Sequence, residues 1–214
     1  MTSGSDAKRY DRAYFERWYR DRRHRIESAR ELARRVTAVA ALAELRLGRP
    51  LRSVLDVGCG EGRWRAPLLR LRPRLRYLGL DSSTDAVARF GARRNLRLAA
   101  FADLPDLELP AGERGPFDLV VCSDVLHYLA EAEIHAGLPA LARWTGGVAH
   151  LAALTSEDEV EGDLRGFRRR PAAWYRERFA RLGLVPCGLQ CYLPAERAAE
   201  LAALERSADG PLLG

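Results

Sequence analysis

The stretch from Ser53 to Gly62, with the sequence SVLDVGCGEG, constrains the fold of this chain more than any other. Its first part, Val54 to Val57, is short, apolar and partly β-branched, which predicts a buried strand of a parallel sheet. Three glycines follow at the carboxyl end of this strand, where an open α/β sheet places its ligand crevice. Because glycine lacks Cβ, the backbone can turn sharply here and a ligand can lie against bare amides. The stretch therefore predicts a strand followed by a ligand-binding turn.

The glycine spacing, Asp-x-Gly-x-Gly-x-Gly from Asp56 to Gly62, differs from the dinucleotide-binding fingerprint. The last glycine of that fingerprint would fall on Arg63. Asp56 precedes the turn, and a carboxylate there suits a cationic ligand better than a pyrophosphate. Both features disfavour a nicotinamide-dependent oxidoreductase. The alternative interpretation is an ordinary tight turn between a strand and a helix.

Beyond this stretch, apolar strand patterns alternate with helical patterns, which predicts a parallel sheet with helices on both faces. The predicted strands cover residues 51–57, 75–80, 96–101, 117–122, 147–154 and 184–193. The predicted helices between them cover residues 63–71, 83–93, 131–144 and 172–182. The segment between Ala102 and Pro116 is rich in Pro and Gly and too short for a normal crossover helix. We expect that helix to be missing or reduced to a single turn.

Residues 10–48, which precede the sheet, predict a helical extension. Two interpretations of its first part stay open: a mobile lid whose aromatics close over a ligand, and a helix that packs on the sheet edge. A long amphipathic helix follows over residues 26–47. We expect residues 1–9 to be disordered, residues 49–193 to form the main domain, and residues 194–214 to form a helical tail. Five aromatic residues recur at helical spacing in the first part: Tyr10, Tyr14, Phe15, Trp18 and Tyr19.

Three acidic residues follow the ends of three successive predicted strands: Asp56, Asp81 and Asp103. Because parallel strands place their carboxyl ends at one edge of the sheet, we expect all three carboxylates to line one crevice. Asp81 follows Gly60 by 21 residues, and an acid of the second strand at such a distance accepts the hydroxyls of a ribose. Asp103 could accept a hydrogen bond from the exocyclic amine of an adenine. The alternatives are a helix N-cap for Asp81 and a turn residue for Asp103.

The stretch 117–129 has the sequence FDLVVCSDVLHYL. It resembles motif IV of the class I methyltransferases that use S-adenosylmethionine (AdoMet), and the glycine turn resembles their motif I. The resemblance covers roughly residues 51–193. It implies a three-layer α/β/α sandwich around a mostly parallel, doubly wound (Rossmann-like) sheet of six to seven strands, with an N-terminal helical extension. The family usually adds an antiparallel seventh strand. Either this strand is absent here, or the assignment of residues 184–193 to a single strand is wrong.

The resemblance implies AdoMet as the cofactor and S-adenosylhomocysteine (AdoHcy) as its product. It places the ribose on Asp81, the adenine near Asp103, and the methionine end of the cofactor beside residues 123–127. The cofactor-binding residues expected on this basis are Asp56, Gly58, Cys59, Gly60, Gly62, Asp81, Ser82, Ala102, Asp103, Leu104, Ser123 and Asp124.

Methyl transfer from a sulfonium is an in-line displacement, in which the enzyme mainly aligns the acceptor and excludes water. A base is needed only where the attacking atom must lose a proton. His127 is the candidate base, because an imidazole pKa near ~6.5 suits proton transfer at neutral pH. The alternative is a histidine without a catalytic role, and Tyr128 is the second catalytic candidate. No acidic trio has clear Mg²⁺ geometry, so we expect no metal.

Arginines surround the loop after the fifth predicted strand, at positions 165, 168, 169, 170, 176 and 178. One hypothesis is that they hold an anionic small-molecule acceptor, because a guanidinium pairs with carboxylate or phosphate through two hydrogen bonds. The alternative is a solvated basic face. The residues expected to contact the acceptor are Tyr14, Trp18, Tyr19, His150, Arg168 and Trp174.

The charge composition bears on the choice of partner. The net charge is +6, and Lys8 is the only lysine among 35 Lys and Arg residues. Such a replacement of Lys by Arg is typical of GC-rich codon usage, and the arginines are scattered among 29 acidic residues. A nucleic-acid partner is therefore not favoured. The leading hypothesis is a methyltransferase that acts on a small molecule; its rivals are a methyltransferase that acts on RNA or protein and a non-catalytic AdoMet-binding module.

Hydrophobic patterning predicts no membrane segment. No stretch approaches the roughly 20 consecutive apolar residues of a membrane-spanning helix. Residues 1–11 lack the apolar segment of a secretory signal. We therefore expect a cytoplasmic protein without membrane contact, present as a monomer or a homodimer.

Overall fold

The computed structural model describes residues 10–24, 27–159 and 163–201. The predicted disorder of residues 1–9 lies outside this part of the chain, as does the predicted tail beyond residue 201. No helix within these ranges combines the length and the hydrophobicity needed to cross a lipid bilayer.

The described residues contain one sheet of seven strands. Its strands are β1 Ser53–Val57, β2 Arg76–Asp81, β3 Leu96–Leu98, β4 Phe117–Ser123, β5 Thr145–Ala152, β6 Leu184–Gly188 and β7 Cys191–Pro194. Their order across the sheet is β3-β2-β1-β4-β5-β7-β6. The first five strands pair in parallel, whereas β7 pairs antiparallel with both β5 and β6. The predicted fold class, a mostly parallel α/β sheet, is therefore confirmed.

The predicted single strand over residues 184–193 is wrong, because this stretch folds into the hairpin of β6 and β7. Leu189 and Gln190 connect the two strands with φ of 53° and 56°, and Gly188 before them has φ of 96°. No Asn-Gly or Asp-Gly pair marks the turn in the sequence, so the apolar run looks continuous. The antiparallel seventh strand is thus present, and a 3₁₀ helix, Ala195–Glu200, follows it where an α-helical tail was expected.

Helices cover both faces of the sheet and complete three layers. They are α1 Arg12–Phe15, α2 Ala29–Leu47, α3 Arg65–Leu71, α4 Thr84–Arg94, α5 Glu131–Trp144 and α6 Ala172–Arg181. One apolar core joins α2, α3 and α4 to the sheet and includes Val36 and Phe90. The core on the other face joins α5 and α6 to the sheet and includes Phe179. Successive strand residues alternate between the two cores, so that Val54 belongs to the first and Leu55 to the second.

The connection between β3 and β4 lacks an α-helix, as the sequence predicts. It consists of two 3₁₀ helices, Phe101–Asp106 and Ala111–Glu113. The first of them packs directly on α5, where a Cβ added to Gly137 would lie 2.1 Å from the carbonyl oxygen of Phe101. This close packing draws the chain away from the sheet, so β3 ends at Leu98 and not at residue 101 as predicted.

The N-terminal extension brings two helical segments to the carboxyl ends of β1, β2 and β4. Helix α1 continues into a π-helical turn, Glu16–Arg20. Helix α2 begins at a capping box formed by Ser28 and Glu31 and ends at Gly48, whose φ is 64°. The predicted start of this long helix, residue 26, lies outside the described ranges.

Candidate active site

The glycine turn after β1 is held against the end of β2. The amide groups of Gly58 and Cys59 both donate to the carbonyl oxygen of Leu80, at 2.7 and 3.1 Å. Gly58 has φ of 71°, and a Cβ there would lie 2.3 Å from a methyl group of Val125. This position requires glycine for both reasons, because other residues rarely adopt this φ and Val125 leaves no room for a side chain. The turn therefore keeps its backbone bare toward the cavity beside it.

Asp81 links the glycine turn to helix α4. One oxygen of its buried carboxylate accepts from the amide of Gly60 at 2.6 Å, and the other accepts from the amide of Ser83 at 2.8 Å. Burial raises the pKa of Asp81, while these two hydrogen bonds act in the opposite direction. Each carboxylate oxygen has a second lone pair. Asp81 is therefore both a structural anchor and an acceptor that faces the cavity.

Asp56 is the second carboxyl group of this region and is only 2% exposed. It accepts a hydrogen bond from the hydroxyl of Tyr77 at 2.6 Å. Burial raises the pKa of Asp56 to about 7, although the bond from Tyr77 lowers it. Asp56 thus gains or loses its charge near neutral pH.

A cavity of about 530 Å³ opens above the glycine turn, a size typical of sites for small molecules. We call its base the floor, which consists of Asp56, Gly58, Cys59, Gly60, Asp81 and Ser82. We call the aromatic side chains opposite the floor the roof, which consists of Tyr10, Tyr14, Phe15 and Tyr19. The α2 wall comprises Glu27, Glu31, Leu32 and Arg35, and the β4 wall comprises Ser123, Asp124, Val125, Tyr128 and Leu129. Arg63 and Trp64 complete the lining.

The roof is attached to the floor region by polar contacts at two points. The Ser83 hydroxyl donates to the carbonyl oxygen of Tyr10, and Arg20 forms an ion pair with the buried carboxylate of Glu61. Between these points Tyr19 lies on the turn itself, because a Cβ added to Gly60 would lie 2.7 Å from the Tyr19 hydroxyl. The aromatic segment therefore covers the cavity, which favours the interpretation as a lid over the one as an edge helix; its mobility stays a prediction.

Arg35 joins the α2 wall to the β4 wall. Its guanidinium donates to the Ser123 hydroxyl at 3.0 Å and pairs with Glu27 at 2.8 Å and with Asp124 at 3.4 Å. Asp124 has φ of 62°, which residues other than glycine rarely adopt, and its amide donates to the carbonyl of Ala152 at 2.9 Å. Such backbone conformations concentrate at functional sites.

Sequence reasoning missed the α2 wall. Arg35 follows Glu31 by four residues and Leu32 by three, so it stands at the margin of the apolar face of α2. A charged residue at such a margin is the available signal, but the same position also suits a surface arginine whose stem covers apolar area. Only the packing of α2 against β4 makes Arg35 a cavity residue.

The structure places both histidines of the prediction outside the residues that line the cavity. His127 is 1% exposed, its Nδ1 accepts from the amide of Leu154 at 3.1 Å, and its ring contacts the rings of Tyr128 and Phe167. His150 is buried in β5, where burial lowers its pKa to about 4. His127 and His150 are thus not among the residues that line the cavity, and their roles as a base and as an acceptor contact stay predictions.

Part of the predicted cofactor set also lies away from the cavity lining. Asp103 is exposed on the 3₁₀ helix that follows β3, so the expectation that three carboxylates line one crevice holds for Asp56 and Asp81 but is wrong for Asp103. The early end of β3 is the physical reason. Its neighbour Leu104 is fully buried and Ala102 half-buried. Gly62 faces the side chain of Leu96 and not the cavity.

The predicted acceptor residues divide in the same way. Tyr14, Tyr19 and the catalytic candidate Tyr128 line the cavity, whereas Trp18, Arg168 and Trp174 do not. Arg168 is exposed to solvent.

Two other arginines of the predicted anion site have structural partners. Arg170 is buried and donates to the carbonyl oxygens of Leu126 and Leu129, at 3.3 and 2.6 Å. Arg178 lies 3.4 Å from the ring centroid of Trp174 and pairs with Glu131 at 2.7 Å. These arginines hold the loop and α6 in place. Among the described residues, no group of three or more His, Cys, Asp or Glu side chains could hold a metal ion.

Comparison with known proteins gives a consistent result. A family model described as "Methyltransferase domain" matches residues 55–146. The chain is 33% identical over 157 residues to the biotin biosynthesis bifunctional protein BioCD of Bordetella avium strain 197N, covering 72% of this chain and 31% of that protein. It is 31% identical over 173 residues to the trans-aconitate 2-methyltransferase of Deinococcus radiodurans, covering 71% of this chain and 60% of that protein. The match thus spans less than two thirds of either relative.

A solved structure supports the same fold. A SAM-dependent methyltransferase from Archaeoglobus fulgidus superposes with a TM-score of 0.58 at 15% identity, over 81% of this chain and 73% of that one. At this identity the likeness concerns the arrangement of strands and helices alone.

Proposed function

We propose that this chain is a class I methyltransferase, a member of the family that takes its methyl group from AdoMet, and that it methylates a small-molecule acceptor inside the roofed cavity. The observation that carries this proposal is the floor. There, a glycine turn without room for side chains adjoins two buried carboxyl groups at the ends of neighbouring parallel strands.

The residues of the floor fit AdoMet chemically. The carboxylate of Asp81 has lone pairs left for the two hydroxyls of a ribose, after accepting the amides of Gly60 and Ser83. The absence of a Cβ at Gly58 lets Val125 of the β4 wall pack directly on the turn, which fixes the backbone beside the cavity. Asp124 on the β4 wall offers negative charge to a cationic ligand, and Asp56 does so in its ionised form. Arg35, in the α2 wall, donates to Ser123 and would exchange its ion pair with Asp124 for the carboxylate of the methionine end.

AdoMet supplies an electrophilic methyl group when it is bound. The chain itself must then orient the acceptor and exclude water. The roof serves the second task, since Phe15 is 1% exposed and the rings of Tyr10 and Tyr14 contact each other edge to face at 5.0 Å. Tyr128 remains the catalytic candidate that reaches the cavity. Burial raises its pKa, so its hydroxyl acts as a hydrogen-bond donor and not as a base at neutral pH.

A small acceptor is favoured over RNA or protein by the enclosure of the cavity. A volume of about 530 Å³ beneath a roof is of the size that suits a small molecule. The trans-aconitate 2-methyltransferase that the chain resembles acts, by its name, on a small molecule. The basic charge of the chain does not contradict this, because arginines such as Arg170 and Arg178 are engaged within the fold.

Ligand-induced stabilisation tests the proposal. A ligand at 100 times its Kd that binds only the folded state adds about 2.7 kcal/mol of stability, which raises the melting temperature of a domain of this size by about 5–10 °C. We expect this shift with AdoMet and with AdoHcy, and none with NAD⁺. Incubation of the enzyme with labelled AdoMet and a metabolite extract should then label a small product. Binding without any labelled product would instead favour the non-catalytic AdoMet-binding module.

A further inference from the structure

The charge of the cavity is opposite to that of the chain. The whole chain has a net charge of +6, but the described residues that line the cavity include five carboxyl groups and two arginines. The carboxyl groups are those of Glu27, Glu31, Asp56, Asp81 and Asp124.

Both lining arginines already have partners. Arg35 pairs with Glu27 and Asp124. Arg63 donates to the carbonyl oxygen of Glu27 at 3.1 Å, and its guanidinium lies 4.7 Å from the centroid of the Tyr19 ring. An anionic acceptor would have to compete with these contacts and with the surplus of carboxylates. A cationic acceptor would be repelled by these two paired arginines but attracted by the larger number of carboxyl groups.

The same cavity is rich in tyrosine rings. Tyr10, Tyr14 and Tyr19 of the roof and Tyr128 of the β4 wall all line it. The ring centroids of Tyr14 and Tyr19 are 6.5 Å apart, and the Tyr128 hydroxyl donates to the backbone carbonyl of Asp163 at 3.0 Å. Burial, followed by the charge of Asp163, raises the pKa of Tyr10 to about 12, so this phenol stays neutral at physiological pH. Faces of such rings attract ammonium ions within about 6 Å of their centroids.

We propose that the space between the roof and Tyr128 receives a small amine, bound as its ammonium ion, and that the enzyme is an N-methyltransferase. This inference rests on the proposed function and names its acceptor class. It replaces the hypothesis of an anionic acceptor, whose central residue, Arg168, lies outside the cavity lining.

The chemistry of such a transfer suits this lining. The bound ammonium first loses a proton to water or to a lining carboxylate such as Asp124. The nitrogen lone pair then forms the new N–C bond as the methyl–sulfur bond breaks, and the electron pair of that bond stays on sulfur, which becomes a neutral thioether. The positive charge therefore moves from sulfur to the methylated nitrogen. The lining carboxylates face a positive charge before and after the transfer.

The acidic lining could also bind only the positively charged sulfonium of AdoMet and not the acceptor. The test must therefore separate cofactor binding from acceptor binding. The full chain is first saturated with AdoHcy, whose binding is measured by calorimetry on its own. Two probes of similar size, benzyltrimethylammonium and benzoate, are then titrated into this complex. We expect the cation to bind at least about tenfold more tightly than the anion, a difference of about 1.4 kcal/mol.

Variants of Tyr14 identify the aromatic contribution. Tyr14→Phe keeps the ring and should bind benzyltrimethylammonium within about twofold of the wild type, whereas Tyr14→Leu should lose about five- to tenfold, because the ring face supplies the attraction. The control Arg168→Ala should change the affinity of neither probe. AdoHcy binding should persist in all three variants.

The outcomes are distinguishable. Three results would each overturn the amine acceptor: benzoate binds as tightly as the cation, neither probe binds, or Tyr14→Leu and the wild type bind the cation equally well. In each case AdoHcy binding would leave the proposed function intact. Failure of the wild-type chain to bind AdoHcy would overturn the proposed function itself.

Discussion

The floor and the roof of the cavity are built by different means. The floor is mostly main chain: the amides of Gly58, Cys59 and Gly60 are bonded to the end of β2, and the carboxylate of Asp81 lies between two amides. The roof is made of side chains on a short helical segment that is attached beside the floor at Ser83 and Glu61. Its Tyr19 hydroxyl lies against Gly60 of the floor. A floor of this kind is fixed once the sheet forms, whereas the roof depends on a few contacts that can be removed singly. The floor should therefore decide whether the cofactor binds, and the roof how fast it leaves.

The largest effect should follow a change at Gly58. An alanine there would be held at φ near 71°, with its Cβ 2.3 Å from Val125. The strained φ alone costs about 1–2 kcal/mol, and the displaced turn adds to it, so we expect AdoHcy affinity to fall by at least about 30-fold. Calorimetry measures this loss. Gly112→Ala, at an exposed glycine with nothing near its would-be Cβ, should bind like the wild type. Equal affinity in the Gly58 variant would show that the turn is not the binding surface.

The second effect concerns the cost of burying Asp56. Its folded-state pKa of about 7 lies above the value of an unfolded aspartate, so the folded chain binds more protons. The stabilising contribution of this group is complete below about pH 4 and is lost as pH rises toward 7. Asp56→Asn keeps an acceptor for Tyr77 and removes the titration. From pH 5 to pH 8, the free energy of unfolding of Asp56→Asn should rise by about 2–3 kcal/mol relative to that of the wild type.

Urea unfolding at both pH values measures this difference directly. The matched variant Asp106→Asn, at an exposed position, should follow the wild type at both. A constant difference between Asp56→Asn and the wild type across this range would mean that Asp56 is already ionised at pH 5. The floor would then be a preformed anionic site.

A third effect separates the two roles of Asp81. Asparagine offers one carbonyl oxygen, so it can accept from Gly60 or from Ser83 but not well from both, and its amide group cannot accept a ribose hydroxyl. We expect Asp81→Asn to lower AdoHcy affinity about tenfold, or about 1.4 kcal/mol, and to lower the melting temperature as well. The affinity of Asp81→Asn for adenosine, which has the ribose but lacks the methionine end, should fall by a similar factor. A loss confined to stability would assign Asp81 to the anchor alone.

The contrast between floor and roof also explains how far the sequence could lead. Asp56, Asp81 and the glycine turn were predictable because a strand pattern fixes which residues stand at its carboxyl end. Asp103 was misplaced because the close packing of Phe101 on Gly137 ends β3 early, and such packing has no local signature. The hairpin of β6 and β7 was missed for a related reason, since Leu189 and Gln190 adopt positive φ without the usual turn residues.

The walls and the roof depend on long-range packing. The pattern from Tyr10 to Tyr19 predicts a helix with an aromatic face, but two surfaces could accept such a face equally well. Arg35 is part of the site only because α2 packs beside β4, where the arginine reaches Ser123. The burial of His127 beside Phe167 could not be predicted from its place after motif IV. Position along the chain therefore predicts the floor better than the parts around it.

The smallest effect should come from the roof. Arg20→Gln removes the ion pair with Glu61, which is 4% exposed and keeps Arg89 as a second partner at 3.5 Å. Because the Arg20 side chain is itself 39% exposed, the pair contributes roughly 0.2–1 kcal/mol. We expect AdoHcy affinity to fall about twofold to fivefold through faster dissociation, with an unchanged association rate. Stopped-flow measurement of both rates tests this, and Arg22→Ala, an exposed position on the same segment, is the control. An increase in the association rate together with the dissociation rate would instead mark the roof as a gate that the cofactor must open on its way in.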